Sequence, residues 1–419
     1  MTITSIISAI GNTRSVYPLI LRDCGIEVPS KIYITRKENL KESKTKANDA
    51  TREKFIDEYV TSAVWLGGIP LVEKVSDKFI KNKGYNPAVS TKLFKEEQYQ
   101  GLEYNIKKFK ELAPQAVKDL EKVKNNSKIF EKLNAYKFAS AIAIPVLLMG
   151  FVLPKLNFAL TRKIKENRKN NNQAQKTFKR QISMTSFAGG KDINFTGNWV
   201  SSVANLKTVD KMAITDGGLT VGRVSTSRNK DEAYVNAFRM LGSMFLNFVA
   251  PKYIQKGLDS VANKLFDINV NLDPLIMENK EFINAIKQNK VQLPKTSQAK
   301  DLFEFIDHNP DSLFSKLAQK QGKIAYLKNG IRDPKKYVDV QDLGNFRNEL
   351  ESFVKSASKS SNIDKFAKKA KFVKGANIIS NVLISSTLLA VVLPKIQYLF
   401  NKIVTGSYSD PGLADNVKD

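Results

Sequence analysis

The chain has 419 residues, of which 42% are hydrophobic, and its 67 lysines and arginines outnumber 41 aspartates and glutamates to give a net charge of +26. This hydrophobic content is enough to build a core, which excludes a globally disordered chain. The positive charge attracts phosphates, whether of nucleic acid or of anionic lipid. Cys24 is the only cysteine and His308 the only histidine. An intrachain disulfide is therefore excluded, and so is a zinc site that needs several such ligands.

Sequence motifs recur in the same order in the two halves of the chain. The segment "RDCGIEVPSKIYITRKENLKE" (22–42) resembles "TDGGLTVGRVSTSRNKDEA" (215–233), and "GFVLPKLNFALTRKI" (150–164) resembles "AVVLPKIQYLFNKI" (390–403). Between these matches, each half contains an apolar stretch with a proline and then an Asn-Pro or Asp-Pro pair. The shared order predicts a tandem duplication. Its markers are Asp23, Gly25, Arg36, Pro154 and Lys155 in the first copy, and Asp216, Gly218, Arg228, Pro394 and Lys395 in the second.

The duplication divides the chain into a first repeat (1–165), a basic linker (166–204), a second repeat (205–405) and a tail (406–419). The linker is rich in Asn, Gln, Lys and Gly without an apolar period, which predicts a flexible segment. The tail is predicted to be disordered. Because the repeats are similar, we expect Asp23 to lie near Arg36, and Asp216 near Arg228.

The predicted fold class is mainly α, with two pseudo-symmetric helical repeats. Each repeat is expected to contain two strongly apolar helices and, near its start, a short β-hairpin-like segment. The hairpins are predicted around Gly25 and Gly218, where turn residues lie among Val, Ile and Thr. A helical stripe of apolar residues between 99 and 123 contains Pro114, which should kink or split that helix.

Four stretches are apolar enough to suggest contact with a membrane. Residues 375–394 contain no charge and are long enough to span a bilayer, and 138–154 are slightly shorter. The stretches 59–72 and 240–251 are shorter still, which is more typical of buried or interfacial helices. Two, four or no crossings are compatible with this pattern. A parallel repeat favours an even number of crossings in each copy, or none.

The predicted function is that of a non-enzymatic, membrane-associated protein that acts as a scaffold, in membrane shaping or in a solute pathway. Anionic lipid is the expected partner. A basic cluster at 162–169 favours the cytoplasmic side for the linker and both termini. No catalytic, cofactor or metal site is predicted, because the carboxylates are scattered among lysines and are expected to form solvated helix-face pairs. The alternative is a soluble, basic helical protein that binds nucleic acid or an acidic partner.

Overall fold

The computed structural model describes residues 2–11, 17–94, 98–172, 208–266, 271–408 and 410–413, and this part of the chain is mainly α-helical, as predicted. It contains no β-strand, only an isolated bridge between Tyr326 and Arg332. We number its fourteen helices in chain order. They are α1 (Ile3–Gly11), α2 (17–40), α3 (44–82), α4 (Leu102–Phe109), α5 (Pro114–Asn125), α6 (127–172), α7 (Thr208–Ser225), α8 (230–266), α9 (Pro274–Met277), α10 (Lys280–Lys287), α11 (Ala299–His308), α12 (Leu313–Lys320), α13 (Val340–Ser358) and α14 (363–405).

Five of the long helices contain a π-helical turn, and each turn ends two residues before a proline. Proline lacks the N–H group that would bond to the preceding turn, and its ring crowds that turn, so a wider local winding accommodates it. In α7, Gly222 stands where α2 has Pro29, and α7 runs from 208 to 225 without a π turn. The π turns are Asp23–Glu27, Val64–Gly68, Leu147–Val152, Phe245–Val249 and Leu388–Val392, and the prolines are Pro29, Pro70, Pro154, Pro251 and Pro394.

Six long helices form a closed ring. Helices α2, α3, α6, α7, α8 and α14 each pack against the next in this order, and α14 packs back against α2. The first three come from the first half of the chain and the last three from the second half. The ring therefore has two joints between the halves, α6 with α7 and α14 with α2.

The two ends of the ring can be located from ion pairs along α3. Arg168 near the end of α6 pairs with Asp49 at 2.8 Å, whereas Lys211 near the start of α7 pairs with Glu73. Asp49 and Glu73 are 24 residues apart on α3, which corresponds to about 36 Å along a helix. Helix α6 therefore ends at one end of the ring and α7 begins at the other.

At one end of the ring, α3 and α8 end and α6 and α14 begin, and we call this the insertion end. A separate helical unit, the insertion unit, lies there. The unit combines α4 and α5 from the first half with α9–α13 from the second. The side-chain amide of Gln100 bonds to both backbone groups of Val338, each at 2.8 Å. Arg332, only 1% exposed, lies between the rings of Phe109 and Phe303 and donates to the carboxylate of Asp307 at 2.7 Å.

The predicted β-hairpins are wrong. Residues 22–40 and 215–225 are helical, and Gly25 lies within the π turn of α2. Gly218 lies in the middle of α7, where an added Cβ atom would come within 2.7 Å of Val146 on α6. The glycine therefore permits close packing of two helices and does not form a turn.

The linker and tail boundaries also differ from those predicted. Helix α6 continues to Asn172, past the predicted start of the linker at 166, and residues 173–207 lie outside the described part of the chain. In the predicted tail, Pro411–Leu413 form a 3-10 turn whose three residues are buried, so this part is packed rather than disordered. Residues 414–419 lie outside the described residues.

Candidate functional site in the ring interior

The outer surface of the ring carries an apolar belt formed by residues 59–72, 138–154, 240–251 and 375–394. Two helical segments, Ser127–Arg168 and Ile363–Thr405, are long and apolar enough to cross a membrane. Only 33% and 39% of their most apolar windows are buried, which is unlike the core helix of a soluble protein. Large apolar side chains instead point outward on several helices, including Leu147 (55% exposed), Leu241 (60%), Phe245 (56%) and Leu383 (56%).

Within the belt, small residues allow α7 to pack closely on α6. Gly218 and Gly222 are four residues apart and lie on the same face of α7. A Cβ atom at Gly222 would lie 2.8 Å from the Cα atom of Gly150 on α6. Two glycines at this spacing with their backbones in contact are typical of helix packing in membranes, where close van der Waals contact stabilises association.

The interior of the ring is highly charged, in contrast to its outer surface. Lys31 on α2 pairs with Glu27 and, at 3.6 Å, with Glu58 on α3, and Lys54 pairs with the same Glu58 at 2.8 Å. All four side chains are at most 13% exposed. Ion pairs buried to this degree lose hydration, so each charge depends on its partner.

Arg223 on α7 connects the two halves of the ring interior. Its guanidinium pairs with Asp57 and donates to the Thr61 hydroxyl on α3 at 2.7 Å, and Arg239 on α8 lies 3.8 Å from the same Asp57. The side chain of Arg223 is 7% exposed, and its Nε atom has no hydrogen-bond partner among the described residues. The Nε–H group of Arg223 therefore bonds to neither Asp57 nor Thr61.

Two cavities occupy the interior and adjoin at Arg223 and Arg239, which line both. The inner one, of about 70 Å³, is lined by α2, α3, α7 and α8, and the outer one is lined by α3, α6, α7, α8 and α14 together with residues 410–411. The lining carries eight carboxyl groups and five cationic groups, so it is net acidic within a strongly basic chain. The carboxyl groups are Asp23, Glu27, Glu53, Asp57, Glu58, Asp216, Glu232 and Asp410, and the cationic groups are Lys31, Lys54, Arg223, Arg228 and Arg239.

A C-terminal strap, residues 406–408 and 410–413, borders the outer cavity through Asp410 and Pro411, and we call this end of the ring the strap end. Asp410 accepts hydrogen bonds from Asn39 at 3.4 Å and from the Tyr398 hydroxyl at 3.3 Å, and burial raises the pKa of its carboxyl group. The carbonyl group of Pro411 accepts a bond from Asn229 at 3.1 Å. The strap thus bonds to α2 and α14 on one side and to the loop between α7 and α8 on the other.

Arg228 anchors this end of the ring. It pairs with Glu53 at 3.2 Å and Glu232 at 2.8 Å, and its guanidinium lies 4.1 Å from the centre of the Phe158 ring. Burial is the largest influence on Glu53 and raises the pKa of its carboxyl group, which Arg228 partly offsets. The pairing of Arg228 with Asp216 is wrong, because about two and a half turns of unbroken helix lie between Asp216 and Ser225, and Arg228 instead pairs with Glu53 and Glu232.

The structure brings some of the repeat markers together and separates others. Asp23 and Asp216 line the same inner cavity. Arg36 is exposed and donates to Asn48 at 3.2 Å, so its predicted pairing with Asp23 is not formed. Pro154 and Pro394 are buried and each is followed by an exposed lysine, Lys155 or Lys395.

The ion pairs of the interior were missed because their spacing along each helix resembles that of solvated surface pairs. The available signal for a polar interior was the position of Asp216 between two apolar stretches of α7. Among the described residues, no group of three or more histidine, cysteine, aspartate or glutamate side chains could hold a metal ion. No protein-family model, curated protein or solved structure matches the chain.

Proposed function

We propose that the protein is an integral membrane protein whose six-helix ring encloses a polar, net-acidic solute pathway. The observation that carries this proposal is the distribution of polarity, with apolar side chains exposed on the belt and charged side chains buried inside. Soluble proteins rarely expose large contiguous apolar surfaces, and ionisable groups inside membrane segments usually face a bundle interior. A scaffold or a membrane-shaping protein would not need such an interior.

The similar arrangement of the two halves supports a duplicated architecture. In each half, a helix or helix pair leads into a long helix with a π turn, then into an insertion, and then into a second long helix with a π turn before Leu-Pro-Lys. Each half supplies three ring helices, which is an odd number. A bilayer around the ring would therefore place the insertion unit with α1 on one side and the strap on the other.

Lysines at the borders of the belt support anionic lipid as the partner. Lys155 and Lys395 follow the belt at the strap end, and Lys132 precedes it at the insertion end, and all three are exposed. Long lysine stems lie along apolar surface while the ammonium group reaches the headgroups, and anionic headgroups attract such clusters.

Membrane association can be tested by fractionation of cells that produce the tagged protein. We expect the protein to stay in the membrane pellet through washes with high salt and with alkaline carbonate, because burial of the belt does not depend on charge. Release by salt alone would indicate electrostatic adsorption and would contradict integration. A protein that is soluble without detergent and bound to nucleic acid in a salt-sensitive manner would support the alternative function.

A further inference from the structure

Two carboxyl groups in the inner cavity form no ion pair with any residue that the structure describes. Asp216 is 9% exposed, and within the described part of the chain no side chain donates a hydrogen bond to its carboxyl group and no cation pairs with it. Asp23, its counterpart in the first half, bonds to Ser62 and has no cation within salt-bridge distance among the described residues. A buried carboxylate without a partner is stable only with a proton or a bound cation.

The charged groups that face these two carboxyl groups come from four helices. Glu27 and Lys31 lie on α2, Glu58 on α3, Arg223 on α7 and Arg239 on α8. Lys31 is paired with Glu27 and Glu58, and Arg223 is paired with Asp57. The cations that line the cavity are therefore engaged by other carboxylates, and the buried Arg22, which precedes Asp23 in the chain, donates to the side-chain oxygen of Asn247 at 2.6 Å.

The remaining unpartnered groups in this cavity are hydrogen-bond donors. The indole Nε1 atom of Trp65 and the Nε atom of Arg223 are buried and have no hydrogen-bond partner in the described chain, and both residues line the cavity. N–H groups bind an oxygen atom, whereas Na⁺ or K⁺ would require several oxygen ligands instead. A volume of about 70 Å³ accommodates several water molecules, which can accept from these donors and contact the carboxyl groups.

We propose that Asp23 and Asp216 form a proton-binding pair in the inner cavity, and that water reaches this pair through the adjoining outer cavity. The proposal rests on the proposed function, because the lipid belt is what keeps bulk water from the sides of the ring. It specifies the solute class of the pathway as protons carried with water. The proton binds a carboxylate oxygen of either aspartate and is taken from, and returned to, cavity water without any change of covalent bonds elsewhere.

The proposal can be tested by infrared spectroscopy of the full-length protein in lipid at neutral pH. We expect a C=O band of a protonated carboxyl group that shifts when H₂O is replaced by D₂O. Asp216→Asn should remove this component, whereas Asp210→Asn, which changes an exposed aspartate on the same helix, should keep it. Asp216→Glu should restore a protonated band. If Asp216→Asn does not fold, Asp23→Asn provides the same comparison from the other half.

Three spectroscopic results would each overturn the proposal. They are the absence of a protonated carboxyl band at neutral pH, a band that is unchanged in both asparagine variants, and a band that does not exchange with D₂O. Tight binding of Na⁺ that depends on Asp216 would also overturn it. A soluble wild type that still shows the Asp216-dependent band would contradict the membrane proposal alone, so the two failures are distinguishable.

Discussion

Leu383→Asp is expected to remove the protein from the membrane fraction, whereas Leu112→Asp is expected to leave it there. Both leucines are more than half exposed, Leu383 (56%) on the apolar belt and Leu112 (51%) in the insertion unit. An aspartate near the centre of a membrane helix costs about 2.5–3.5 kcal/mol of insertion free energy. On a surface in contact with water, the same substitution changes stability by only about 0.5 kcal/mol.

This pair of variants separates lipid from water as the surroundings of the belt. The amount of each variant in the carbonate-washed pellet and its total abundance are measured together, since a protein that fails to insert is often degraded. Equal tolerance of both substitutions would show that Leu383 faces water, and the membrane proposal would be wrong.

Arg223→Met is expected to destabilise the ring strongly, and Asp57→Asn is expected to reverse part of that loss. Removing the guanidinium leaves the Asp57 carboxylate buried with only Arg239, at 3.8 Å, as a cationic partner. Breaking a buried ion pair on one side costs about 3–5 kcal/mol, because the remaining charge stays dehydrated. Neutralising that carboxylate in the double variant relieves this cost, so the two effects should not be additive.

The measurement is urea-induced unfolding in one detergent, followed by circular dichroism. Lys163→Met is the control, because it removes an exposed cation from the strap end of α6, and it should change the free energy of unfolding by about 0.5 kcal/mol or less. Additive losses in the double variant would contradict the buried pairing of Arg223 with Asp57.

The helical elements could be predicted from the sequence because they depend on local pattern. The apolar stretches 138–154 and 375–394 lie within long helices, and Pro114 separates α4 from α5 as predicted. The hairpins could not be predicted correctly. Val, Ile and Thr next to glycine favour strands at a half-buried surface, but in α7 Gly222 is required for contact with Gly150, 72 residues earlier in the chain, and Gly218 for contact with Val146.

The candidate site depends on contacts that no local pattern contains. Arg223 pairs with Asp57, which is 166 residues away in the chain. Asp23 and Asp216 line the same cavity only because the ring brings α2 and α7 together. Along α3, acidic and basic residues alternate as they do on a solvated helix. The ring order turns this face inward, which converts an ordinary surface pattern into a buried network.

The most direct test of the membrane-spanning ring measures which side of a sealed vesicle each end of α6 faces. In a Cys24→Ser background, Lys128→Cys and Lys163→Cys place single thiols at exposed positions near the insertion end and the strap end, about 52 Å apart along the helix. A membrane-impermeant maleimide should label only one of them in sealed vesicles and both after detergent is added. Equal labelling of both thiols in sealed vesicles would contradict a ring that spans the bilayer.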